Sequence, residues 1–134
     1  MSSQHYIFIQ PAAPDTDILS DLSAACGSEL QPVGIGQVDH VTTVDGTTRA
    51  ELQLSHEFEE DQGIPFERFQ AVLVVRDVDR DLERQSAAAR RIVRALADTR
   101  RYWVVLVYEL QAYIESAAPG DTGSQLWPPA PAHR

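Results

Sequence analysis

Short, uniformly apolar runs and two longer periodic segments set the pattern of this chain. The apolar runs lie at residues 5–9, 71–75 and 103–107, and they predict strands that are buried on both faces. In residues 18–26 apolar side chains recur at i, i+4 and i+7, and a glycine follows at Gly27. This spacing predicts a helix that ends at a left-handed glycine.

Residues 79–99 form the second periodic segment, with apolar side chains on one side of a helical wheel and arginines on the other. The alternating segments 38–44 and 47–58 flank an Asp-Gly step, which predicts a hairpin because both turn positions favour positive φ. Residues 31–37 contain proline and glycine and predict a loop or an irregular edge.

The C-terminal part of the chain has a weaker pattern. Leu110, Tyr113 and Ile114 stand at i, i+3 and i+4, which predicts a short final helix ending near residue 117. The predicted order is β-α-β-β-β-α-β with that optional helix, in the α+β class, as a ferredoxin-like or related two-layer sandwich. We expect residues 1–118 to form a single domain and residues 119–134 to form a flexible tail rich in proline and glycine.

The predicted central strands are apolar on both sides, whereas the two helices cover one face of the sheet. The final helix, the Leu126-Trp127 segment or a second copy of the chain would have to cover the other face. We expect Phe66 and Phe69 to hold the preceding loop against the core.

Composition narrows the class of protein. The chain has 134 residues, 43% of them hydrophobic and 23% charged, which is typical of one globular domain. A single cysteine forms no internal disulfide, no signal-peptide pattern is present, and the apolar runs are far shorter than the ~20 residues that cross a bilayer. We therefore expect a cytoplasmic protein with no membrane partner.

The distribution of charge along the chain indicates the kind of partner. The net charge is −9, and residues 1–75 hold twelve acids against two arginines, a net −10, whereas residues 76–101 are net positive. A field of this sign disfavours nucleic acid and favours a basic protein. All eleven basic residues are arginine, which is typical of a GC-rich bacterial genome.

Residues 56–61, with the sequence HEFEED, are the most prominent candidate site. Clustered carboxylates can bind Ca²⁺, but this spacing fits neither an EF-hand loop nor an HExxH helix. A solvated loop or a contact surface for a basic partner are the other interpretations. The predicted partner-binding residues are Glu51, Glu57, Glu59, Glu60 and Asp61, and the predicted tail-docking residues are Leu126 and Trp127.

Other chemistry is weakly indicated, and we predict no metal, cofactor or catalytic residue. Cys26 lies on the apolar side of its helix, as a core residue would. The Gly-Ile-Gly at 34–36 lacks the third glycine and the following helix of a dinucleotide fingerprint. No two histidines have metal-ligand spacing, and the arginines of residues 79–99 suit a solvated helix face.

These observations lead to three hypotheses. The first is a non-enzymatic domain whose acidic surface binds a basic protein, for instance as an immunity or inhibitor protein of a toxin. The second is a ferredoxin-like domain, monomeric or homo-oligomeric, that binds a small ligand or is an enzyme. Its polar candidates are Tyr6, His40, His56 and Tyr108. The third is a subunit of a larger assembly that docks through its tail.

Overall fold

The computed structural model describes residues 3–120 and 125–130, which form an α+β fold with two helices on a seven-stranded antiparallel sheet. The elements follow one another as β1 (His5–Pro11), α1 (Ile18–Cys26), β2 (Gln31–Ile35), β3 (Val38–Val44), β4 (Thr48–Gln53), a 3₁₀ turn (Phe66–Arg68), β5 (Ala71–Asp77), α2 (Leu82–Thr99), β6 (Tyr102–Tyr108) and β7 (Ala112–Ala117). The strand order across the sheet is β2-β3-β4-β5-β1-β6-β7.

Both helices pack on one face of the sheet, where they form the larger core. Strand residues such as Ile7, Leu73 and Leu106 are fully buried against Leu22 of α1 and Ile92 of α2. Each helix begins at an aspartate whose side chain accepts a hydrogen bond from a backbone N–H of the first turn. The predicted helices are therefore confirmed, although α2 begins three residues later than the pattern indicates.

The second face is covered by the loop of residues 54–70, which joins β4 to β5. Phe66 stacks on Phe8 of β1 with ring centroids 4.3 Å apart, and Phe69 and Ile64 are buried beside them. The prediction that Phe66 and Phe69 hold this loop against the core is confirmed. Trp127 adds to the same cluster from the tail.

The β3–β4 hairpin is also confirmed. Asp45 and Gly46 both have positive φ, 59° and 80°, and the strands pair antiparallel from Val44 opposite Thr48. Strand β4 ends at Gln53 rather than at the predicted residue 58, because the chain then leaves the sheet to cross its second face.

The predicted final helix is wrong, and so is the number of strands. Residues 112–117 form β7, which pairs with β6 after a tight turn in which Glu109 and Leu110 both have positive φ. Spacing across a single helical turn fits a strand as well as a helix, and β7 satisfies the backbone groups along one side of β6. Residues 31–35 form an edge strand with a shifted register, so the sheet has seven strands instead of five.

Two further findings concern the chain ends and the helices. Of the predicted tail, residues 119–120 and 125–130 are described, and residues 121–124 and 131–134 lie outside the described residues. Among the helices of the described ranges, none is long and apolar enough to cross a membrane.

Replacing Phe66 by alanine tests the cover of the second face. We expect Phe66→Ala to lower the free energy of unfolding by about 3–5 kcal/mol, because the substitution leaves a cavity against Phe8. The matched control Ile35→Ala lies on an edge strand at a side chain that is 70% exposed, and it should change the free energy by less than about 0.5 kcal/mol. Urea unfolding gives both values, and equal effects of the two substitutions would contradict this structure.

Candidate functional site

The loop of residues 54–70 carries the candidate site, and its start is fixed by a side chain of β3. The backbone N–H of Leu54 donates to Asp39 Oδ2 at 2.8 Å, where a strand partner would otherwise accept. The loop then runs over the second face, and Phe58 packs edge-on against Phe8 at a centroid distance of 5.6 Å. Aromatic contacts therefore hold the acidic residues that alternate with Phe58 in one position.

His56 fastens the same loop through both of its ring nitrogens. Its Nε2 lies 2.7 Å from the carbonyl oxygen of Phe69, and the backbone N–H of Phe58 donates to its Nδ1 at 3.1 Å. Since a carbonyl only accepts and an N–H only donates, the ring is neutral with its proton on Nε2. Burial lowers the pKa of His56, and the bond to the Phe69 carbonyl offsets part of that shift.

A tight turn follows at residues 61–64. Asp61 and Ile64 exchange two backbone hydrogen bonds of 3.1 and 2.9 Å, and Gln62 and Gly63 both have positive φ. The Glu60 carboxylate accepts a hydrogen bond of 2.9 Å from the backbone N–H of Gly63. The turn is thus closed by local bonds as well as by the aromatic residues around it.

The loop brings exposed carboxylates together. Glu59, Glu60 and Glu67 line one shallow depression of about 390 Å³, and Glu57, Glu59 and Glu67 line the adjoining one. Within residues 3–120 and 125–130, none of these side chains forms an ion pair with an arginine. We refer to the five exposed acids of this loop as the acidic surface: Glu57, Glu59, Glu60, Asp61 and Glu67.

The structure treats the predicted site residues differently. Glu51 is half-buried on β4 and forms ion pairs with Arg49 at 2.7 Å and with Arg76 at 3.9 Å, so its charge is already matched. Glu67 is an addition to the predicted residues, because it joins the acidic surface only through the fold of the loop.

The two predicted tail residues also differ from each other. Trp127 packs edge-on against Phe69 of the same chain, with ring centroids 6.2 Å apart. Leu126, by contrast, is 48% exposed. Of the two residues, only Trp127 joins the cluster on the second face of the sheet.

In the described part of the chain, no group of three or more histidine, cysteine, aspartate or glutamate side chains is arranged to hold a metal ion. Cys26 is buried in the main core, and burial raises the pKa of its thiol to about 11. The thiol is therefore protonated at neutral pH, which makes it a poor nucleophile.

A buried polar network lies at the other end of β5, and sequence reasoning missed it. The Asp77 carboxylate accepts hydrogen bonds of 2.6 and 3.0 Å from the Arg84 guanidinium, and these bonds hold the pKa of Asp77 far below its usual range. Gln85 accepts from the Asp77 backbone N–H at 2.8 Å and donates to His5 Nδ1 at 2.7 Å. Aspartate near a helix start is a local signal, but the pairing of Gln85 with His5 spans 80 residues.

This network borders a cavity of about 480 Å³ that Ser3, Val78 and Leu82 also line. The buried groups of the network, Asp77 and Gln85, are already hydrogen-bonded to each other and to their neighbours, so they leave no polar atom for a ligand. We interpret the network as the structural link between β1, β5 and the start of α2.

The four polar candidates of the ligand-binding hypothesis do not converge. Tyr6 and His56 lie on the second face of the sheet, where both contact Phe58. Tyr108 lies against His5 on the helix-covered face, and His40 belongs to that same face on β3, three strands away from β1.

Comparison with known family models, curated proteins and solved structures finds no match to this chain.

The pH dependence of stability tests the state of His56. Because the folded protein holds the ring neutral and lowers its pKa, the unfolded chain takes up the proton first as the pH falls below about 6.5. The stabilisation from His56 is thus complete above that pH and decreases below it.

We expect His56→Gln to lower the free energy of unfolding by about 1–2 kcal/mol at pH 8 and by less at pH 5. Urea unfolding at both pH values gives the two differences. His5 is present in both proteins, so its own titration cancels in the comparison. An NMR titration that gives His56 a pKa above 6.5 would contradict the neutral, doubly bonded ring.

Proposed function

We propose that this protein is a non-enzymatic binding domain whose acidic surface binds a basic protein. The observation that carries the proposal is that Glu57, Glu59, Glu60 and Glu67 line adjoining depressions without an arginine partner in the described ranges. Like charges held close together repel one another and destabilise a fold. A cationic partner would supply the missing counter-charges.

The anchoring of the loop supports the proposal. The ring nitrogens of His56, the stacked Phe66 and the closed turn at residues 61–64 fix the backbone before any partner arrives. A surface that is already ordered loses little conformational entropy on binding, so more of the electrostatic attraction contributes to affinity. The net charge of −9 would also accelerate encounter with a cationic protein.

The kind of partner follows from this chemistry. A small basic protein with arginine or lysine side chains on a convex surface would fit shallow acidic depressions, and a cationic toxin bound by its immunity protein is one such pair. Glu51 would contribute less than the loop acids, because Arg49 already neutralises it at 2.7 Å.

We further propose that a ferredoxin-like core lies within this larger sheet. Its support is the order β4-β5-β1-β6 at the centre, with α1 following β1 and α2 connecting β5 to β6. Strands β2 and β3 would then be additions at one edge and β7 an addition at the other. Such a core occurs with many activities, so it carries no function by itself.

A charge reversal with a matched control tests the binding proposal. Glu57, Glu59 and Glu67 are exposed and their side chains form no hydrogen bond within the described residues, so replacing all three by arginine should leave the fold intact. Asp15, Glu29 and Glu83 share these properties elsewhere on the surface, and their triple replacement changes the net charge equally. Circular dichroism and urea unfolding should find both variants folded.

The native protein and the control variant should capture the same basic protein from a lysate of the source cells, and the loop variant should not. With that partner purified, stopped-flow association should be slower by about tenfold or more for the loop variant, and the native rate should fall as salt rises. If both triple variants bind equally, net charge alone is responsible and the acidic surface is the wrong site.

A further inference from the structure

A groove at the end of β1 and the start of β6 holds part of the chain's own tail. The carbonyl oxygen of the buried Pro128 accepts a hydrogen bond of 3.3 Å from Arg68 Nη1, and Trp127 packs against Phe69. A cavity of about 440 Å³ remains between the tail and the body of the protein. The residues that line it come from β1, the loop, β6 and the tail, and they include Pro11, Arg68, Phe69, Trp103, Pro128 and Pro129.

Trp103, which lines this groove, has an indole N–H that lacks a hydrogen-bond acceptor in the described part of the chain. Its side chain is 7% exposed and lines the cavity together with Pro128, yet its indole Nε1 has no hydrogen-bond partner in the described part of the chain. Buried indole N–H groups usually have an acceptor. The indole N–H of Trp103 is therefore a buried donor beside the groove that no acceptor of the described residues satisfies, the resident tail included.

The groove contains the kinds of side chain that bind proline-rich segments in other proteins. Segments in the polyproline II conformation bind between aromatic rings, and their free backbone carbonyls accept hydrogen bonds from side chains of the groove. Phe69 and Trp103 supply aromatic rings here, Arg68 already donates to a proline carbonyl, and Trp103 Nε1 is a second donor without an acceptor.

We propose that this groove is a binding site for a proline-rich segment of a partner protein, with the chain's own residues 125–130 as its resident occupant. The incoming segment would displace the tail, place prolines between Phe69 and Trp103, and present a carbonyl to Trp103 Nε1. The site is separate from the proposed contact with a basic protein, although Glu67 borders both surfaces.

The resident tail sets the condition for a test. Because it belongs to the same chain, its effective concentration at the groove is on the order of millimolar, and a free peptide competes poorly with it. The Trp127→Ala variant of the full chain removes the aromatic contact with Phe69 and weakens this competitor. The chain has two tryptophans, so Trp103 is then the sole indole of the protein.

The probe is an unlabelled synthetic peptide with the sequence of residues 125–134, QLWPPAPAHR. We expect it to bind ¹⁵N-labelled Trp127→Ala at least tenfold more tightly than it binds the native chain. Because the free peptide is not tethered to residue 120, it can move along the groove until one of its carbonyls reaches Trp103 Nε1. The indole N–H signal of Trp103 should then move downfield as it gains an acceptor. Leu126→Ala, which removes an exposed side chain, should bind the peptide no better than the native chain does.

Two further comparisons make the outcome decisive. Trp103→Phe in the Trp127→Ala background keeps an aromatic ring but removes the donor, and it should weaken peptide binding at least fivefold. A peptide with alanine in place of its three prolines should bind at least tenfold more weakly than the original. If Trp127→Ala unfolds, Pro128→Ala removes the buried proline ring instead and should give the same order of affinities.

Several results would overturn the proposal. The first is that the peptide binds Trp127→Ala no more tightly than it binds the native chain. The second is that the indole signal of Trp103 does not move, and the third is that the alanine peptide binds as tightly as the original peptide. A native chain that dimerises with concentration, and a Trp127→Ala variant that does not, would show that the tail of a second copy is the true occupant.

Discussion

The stacking of Phe66 on Phe8 is the contact on which the rest of this structure depends. Central strands with apolar side chains on both faces need cover on both, and the two helices provide it on one face. The loop of residues 54–70 provides it on the other, with ring centroids 4.3 Å apart at its centre. One segment therefore completes the core and carries the acidic surface, so stability and the proposed binding are coupled.

That coupling explains how a highly charged loop keeps one conformation. Repulsion between neighbouring carboxylates favours an open loop, whereas buried aromatic rings and the two bonds of His56 oppose it. The energy of aromatic burial, several kcal/mol for a residue such as Phe66, exceeds the weak repulsion between exposed charges in water. The acids stay clustered because burial of their apolar neighbours outweighs their repulsion.

The sequence predicted features whose cause is local. The Asp45-Gly46 turn requires positive φ at two adjacent positions. Aspartate followed by glycine is a pair of residue types that favours this conformation, so the sequence predicts the turn. The predicted final helix was wrong because the cause of the actual structure is not visible in the residue types. The turn before β7 places Glu109 and Leu110 at positive φ, and neither glutamate nor leucine favours that conformation. Three apolar residues across a single helical turn could not decide between helix and strand.

The candidate site shows the same division. The run of acids in residues 57–61 is visible in the sequence, and the sequence also predicts that Phe66 holds the loop against the core. The pairing of His5 with Gln85 and the contact of Trp127 with Phe69 join residues that are far apart in the chain, so a local pattern of residue types does not predict them. Glu67 joins the acidic surface through the fold of its own loop, which such a pattern does not predict either. Long-range partners were therefore the part that only the fold could supply.

Amide hydrogen exchange of the loop tests most directly the claim that the acidic surface is ordered in advance. The N–H groups of Phe58, Ile64 and Phe69 donate to acceptors within the loop. An ordered loop predicts that they exchange about a hundredfold or more slowly than in an unstructured peptide. Exchange within about tenfold of the peptide rate at all three positions would mean that the loop is open in solution, and it would contradict this account.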